Sequence, residues 1–127
     1  METGVQARQK PRHAVGAPAD FPVGKMVMVR AGEQEIGVVR LRDGELRAMR
    51  NWCPHKGAPI CRGIIGGTWP PSEPGKLDYD GAQEVLVCPW HGFEYDLKSG
   101  REMYETGTTR LRLYPVAVED GQVFVTV

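Results

Sequence analysis

The chain lacks most of the features that would quickly place it in a class. It has three cysteines, three histidines and no net charge, since sixteen Lys and Arg balance sixteen Asp and Glu over 127 residues. Without a basic excess no field draws it to nucleic acid or to an anionic membrane surface. No run approaches the roughly 20 apolar residues that span a bilayer, and the polar first twelve residues have no apolar stretch of signal-peptide kind. A cytoplasmic protein that does not enter a membrane is therefore expected. An odd number of cysteines in such a chain argues against a disulfide framework and makes metal binding the better default. No segment keeps a helical apolar period over several turns.

What the chain does have is punctuation, with sixteen Gly and ten Pro between short Val-rich stretches. Met26-Val27-Met28-Val29, Ile36-Gly37-Val38-Val39, Leu46-Arg47-Ala48-Met49 and Glu84-Val85-Leu86-Val87 read as strands. Asp43-Gly44 predicts a tight hairpin turn between two of them. Asp120-Gly121 predicts another, between Val116-Ala117-Val118 and Val123-Phe124-Val125. The fold class is all-β. Residues 1–12 read as a flexible N-terminal tail and 13–127 as one domain. Residues 62–82 show no pattern and include the Pro-rich run around Trp69, so an irregular segment is expected there.

The chemistry lies in two pairs, Cys53 with His55 and Cys88 with His91, each in turn sequence beside a predicted strand. A zinc finger of Cys2His2 type usually takes its two Cys from one side and its two His from the other. Here each half mixes the two ligand types. That mixing, together with Cys53-Pro54-His55-Lys56-Gly57-Ala58-Pro59 before Arg62-Gly63, and Cys88-Pro89-Trp90-His91-Gly92-Phe93-Glu94-Tyr95-Asp96 before Ser99-Gly100, resembles the Rieske family. The likeness is to soluble Rieske ferredoxins and to the Rieske domain of ring-hydroxylating oxygenases.

The resemblance implies small antiparallel sheets with two cluster-binding loops and one 2Fe-2S cluster per chain. Cys53 and Cys88 would hold one iron, and His55 and His91 the other, near solvent. Replacing two thiolates by neutral imidazoles removes negative charge, which places such clusters at about −150 to +300 mV. Around the ligands, Gly57 and Gly92 fit sharp turns or close backbone approach, and Trp90 fits a cover against water. Trp52 is expected in the core. Tyr95 is the candidate hydrogen-bond donor to a sulfur. Phe93 stands where high-potential relatives carry a donating Ser, so an intermediate or low potential is expected.

The chain departs from respiratory members at Ala58 and Trp90, where those carry a disulfide between the loops. Cys61 is left without a partner and reads as a small buried hydrophobe. The spacer between the pairs is long, and its excess at about 64–81 reads as an insertion that either shields the histidines or docks a partner. Only His13 remains for a catalytic iron of the two-His, one-carboxylate kind, and one His cannot complete it. The expected role is a one-electron carrier between a flavin-dependent reductase and a terminal oxygenase, with no bond-making chemistry of its own. Alternatives are a Rieske subunit of a larger oxidoreductase, such as a nitrite reductase, and a structural zinc-binding interaction module.

Overall fold

The computed structural model describes residues 11–54, 57–68, 80–90, 92–103 and 109–127. The strands among the described residues are β1 (Arg12–Gly16), β2 (Val27–Ala31), β3 (Gln34–Arg40), β4 (Leu46–Arg50), β5 (Ile64–Thr68), β6 (Asp80–Val87), β7 (Glu94–Asp96), β8 (Leu113–Tyr114), β9 (Val116–Glu119) and β10 (Gln122–Thr126). They form three antiparallel sheets in the orders β1-β10-β9, β2-β3-β4-β8 and β5-β6-β7.

Both expected hairpin turns are present. Asp120 and Gly121 have φ of 52° and 74°, the paired positive values that a two-residue turn between twisted strands requires. At the other, the Leu41 N–H donates to the Glu45 carbonyl (2.7 Å) while Gly44 takes φ 94°. β1 opens at Arg12, paired with Thr126, so strand structure begins one residue before His13. His13 lies on the edge strand of its sheet, an ordinary strand-edge position.

The expectation of an irregular stretch over residues 62–82 is corrected. Ile64–Thr68 and Asp80–Val87 pair as β5 and β6, with Ile64 opposite Val87 and Ile65 opposite Leu86. Sequence pattern missed β5 because Gly66 and Gly67 dilute its apolar signal. Residues 69–79, which include Trp69 and Tyr79 of the proposed insertion, lie outside the described residues.

Strand alternation places the cores. On β3, Ile36 and Val38 point into one cluster with Phe21, Ala31, Ala48, Val123 and Val125, whereas Val39 points into a second with Leu41, Met49, Leu86, Leu97 and Leu111. Ala48 and Met49 divide the same way on β4. The middle sheet is thus buried on both faces and joins a base, made with β1, β9 and β10, to a lobe made with β5, β6 and β7. Polar ties fix the lobe on the base: the Glu84 carboxylate accepts the Arg42 N–H (2.9 Å), the Arg47 guanidinium donates to the Lys98 carbonyl (3.1 Å), and Lys98 pairs with Asp43 (3.0 Å).

Candidate metal centre

The second core is where the chemistry sits. Cys53 and Cys88 are both members of it, 0% and 2% exposed, so side chains that mark loops in the sequence are packed among Leu86, Leu97 and Tyr95. The two loops that carry them are built alike. In the first, the Cys53 N–H donates to the Ala58 carbonyl (2.8 Å) and the Gly57 N–H to the Cys53 carbonyl (2.8 Å). In the second, the Cys88 N–H donates to the Phe93 carbonyl (2.8 Å) and the Gly92 N–H to the Cys88 carbonyl (3.0 Å).

Each loop closes through a glycine four residues after its cysteine, Gly57 at φ 75° and Gly92 at φ 73°, a left-handed conformation in which a side chain is strained. His55 and His91 lie outside the described residues, so the geometry bears on the thiol half of the proposed ligand set.

Tyr95 is fully buried and its hydroxyl lies 3.5 Å from Cys53 Sγ. Register puts it there: Tyr95 faces Leu86 across β6 and β7, two residues before Cys88. Burial, and after it the Cys53 thiol, push the Tyr95 phenol far above its ordinary range, so it stays protonated and able to donate. Phe93 is partly buried against the same core and brings no donor.

Trp52 corrects the expectation of a core position. It is 49% exposed, with its indole against Gly57, where an added Cβ would come within 2.8 Å of the ring, and with the Arg50 guanidinium 5.0 Å from the ring centre. It acts as a flank of the first loop. Trp90, expected as a cover, is 58% exposed and turns much of its surface outward.

Cys61 is 6% exposed, lies over Gly37 beside the Met26 sulfur, and takes no part in either loop. Burial, with the Glu35 charge adding, pushes its thiol up to about 12. It therefore remains a neutral thiol at physiological pH, as a small buried hydrophobe should. None of the three cysteines is in a disulfide.

Some residues that shape the site carried too little sequence signal to be singled out. Gly63 was visible only as part of a motif, and the structure gives its reason: an added Cβ would run into the Val87 carbonyl oxygen, so β5 enters its pairing at backbone contact. Glu102 and Thr109 join through a 2.6 Å hydrogen bond, and a bridge sets Glu102 opposite Tyr95. Nothing in their separation along the chain announces that meeting.

The donor set tests well against an iron-sulfur cluster. Two buried thiols, on matching loops whose glycines keep the backbone close, with a hydroxyl at one sulfur, suit a cluster that needs thiolate ligands, dry surroundings and hydrogen bonds to sulfur. No helix among the described residues is long and apolar enough to cross a membrane.

Comparison with known proteins agrees. The chain is 31% identical over 115 residues to the ferredoxin subunit of anthranilate 1,2-dioxygenase from Burkholderia cepacia, covering 91% of each. Among solved structures, the ferredoxin of a carbazole 1,9a-dioxygenase, determined in complex with its oxygenase, superposes with a TM-score of 0.65 at 26% identity, over 91% of this chain and 92% of that one. A structure described as an NADH-dependent nitrite reductase small subunit from Mycobacterium tuberculosis gives a TM-score of 0.70 at 22% identity, over 93% and 96%, a likeness of fold alone. The model of the Rieske 2Fe-2S domain matches residues 12–115. With small antiparallel sheets and two cysteine loops closed in the same way, the chain belongs to the Rieske family, whose cofactor is the 2Fe-2S cluster.

Proposed function

We propose that Cys53 and Cys88 ligate one iron and His55 and His91 the other, and that the protein carries single electrons from a flavin-dependent reductase to a terminal oxygenase in the cytoplasm. A bound cluster of this kind supplies a one-electron couple. The observation that carries the reading is the pair of buried thiols at equivalent positions of two matching loops. Support for the partners comes from the ferredoxin subunit of a dioxygenase, which this chain matches over nine tenths of both lengths.

The protein's own groups have distinct tasks. Cys53 and Cys88, sunk in the core, exclude water from the thiolate side and offer a partner no contact, so the electron is assigned a path through His55 and His91. With Cys53 ligating as a thiolate, the Tyr95 hydroxyl 3.5 Å from its Sγ is the donor, which favours the more negative reduced form. Gly57 and Gly92 hold the loop backbones closed around the ligands. Bond-making chemistry is assigned to the oxygenase and none to this chain.

NADH-driven turnover reconstituted from reductase, oxygenase and this protein is expected to depend on it and to be lost with His91→Ala. Turnover that proceeds equally without the protein contradicts the carrier role. The fold likeness to a nitrite reductase small subunit favours a second reading, a tightly held subunit. Purification from the native source separates the two: a carrier elutes alone, a subunit with its larger partner.

A further inference from the structure

Glu102 lies directly opposite Tyr95 in an antiparallel bridge. The flanking bonds, Asp96 N–H to the Arg101 carbonyl and Met103 N–H to the Glu94 carbonyl, both 2.8 Å, make this a non-hydrogen-bonded pair. In such a pair the two Cα atoms stand about 4.5 Å apart and the side chains leave on the same face. The Tyr95 side chain runs into the core to reach Cys53 Sγ, so Glu102 leaves its strand toward the thiols and is half-buried there. The Thr109 hydroxyl donates to Glu102 Oε1 at 2.6 Å, which holds the carboxylate in place.

We propose that Glu102 is a potential-setting residue, a fixed negative charge beside the Cys53 side of the cluster that opposes entry of the electron and lowers the reduction potential. The proposal rests on the reading that the chain holds the cluster through Cys53 and Cys88. Reduction adds one electron to the cluster, and a carboxylate in a half-buried setting repels that added charge with less screening than an exposed one. Tyr95 and Glu102 then act in opposition on one thiolate, the hydroxyl stabilising the reduced form and the carboxylate destabilising it. A structural alternative is that Glu102 only clamps Thr109 and so closes the segment between them.

Two variants separate the roles. Glu102→Gln keeps an oxygen that can accept from Thr109 and removes the charge, while Thr109→Val removes the clamp and keeps the charge. Potentiometric titration of the purified, cluster-containing protein is expected to show a higher midpoint for E102Q than for wild type, with the visible spectrum retained, and no rise for T109V. An unchanged midpoint in E102Q with an intact spectrum overturns the proposal and leaves the cluster reading standing. Equal rises in both variants overturn it in favour of the clamp. Wild-type protein without the visible spectrum of an iron-sulfur cluster defeats the cluster reading itself and this inference with it.

Discussion

Tyr95 and Cys61 show how burial decides what one side chain does. Tyr95 is fully buried, yet its hydroxyl is not lost to the core, because Cys53 Sγ stands 3.5 Å away. Once Cys53 is a thiolate ligand, the hydroxyl is the donor and the bond strengthens as the cluster gains charge. Tyr95→Phe removes that bond at nearly constant volume. A bond worth about 1 kcal/mol more to the reduced form predicts a midpoint lower by on the order of 50 mV, measured by potentiometry with the visible spectrum unchanged. Cys61 is buried over the Gly37 backbone beside the Met26 sulfur. Its thiol is raised from 9.0 to about 12, so between those values an unfolded chain has lost a proton that the folded one keeps. The contribution of Cys61 is therefore complete below pH 9 and is lost as pH rises toward 12. Wild-type stability should fall across that window more steeply than that of Cys61→Ala, by up to about 1.4 kcal/mol per pH unit. Denaturant melts of both proteins across the alkaline range test this, and equal slopes would show that the thiol is not held neutral by the fold.

At the scale of the element, glycines decide whether the loops close. Among the described residues nothing lies within 4 Å of a Cβ added at Gly92, so Gly92→Ala is expected to meet the strain of φ 73°, about 1–2 kcal/mol. Gly57 carries similar strain with the Trp52 ring in the way, and Gly63→Ala drives a methyl into the Val87 backbone that pairs with β5. The expected order of destabilisation is Gly63→Ala above Gly57→Ala above Gly92→Ala, the first at about 3 kcal/mol, and thermal melts of the three variants decide it. Adding Trp52→Ala to Gly57→Ala should recover part of the loss. The sequence showed these elements unequally. Both Asp-Gly hairpins and the Val-rich strands were legible because turn residues and apolar runs are local signals. β5 was not, since Gly66 and Gly67 hide a strand whose stability comes from pairing with β6. Trp52 misled for a related reason: a large aromatic suggests a core position, whereas its place at the end of β4 puts it on the surface beside Gly57. The cysteine loops were readable as chemistry, but the contact of Glu102 with Thr109 exists only once the chain is folded.

The described residues form two cores joined through one sheet. Alternate residues of β3 feed both, Ile36 and Val38 one way and Val39 the other, so the base is packed through one shared sheet to the lobe that presents the two cysteine loops. This division suits a carrier: the base supplies stability and the loops supply the redox site. It also predicts that damage to the base is structural. Val38→Ala, which opens a void between the base sheets, should cost about 2–3 kcal/mol in stability and leave the midpoint potential of the cluster unmoved, in contrast to substitutions at Tyr95 and Glu102. Among the described residues the exposed large apolar side chains are spread over the surface, with Trp52, Trp90 and Ile64 on or beside the loops and Val23, Met28 and Val118 elsewhere. Electron paramagnetic resonance of the reduced protein, with metal and sulfide analysis of the same sample, decides whether the proposed residues ligate the cluster. The account predicts iron and acid-labile sulfide in equal amounts, no zinc, and a spectrum whose average g value lies below the free-electron value, lost or altered in His91→Cys. A colourless protein containing zinc, or a spectrum indifferent to His91, would contradict it.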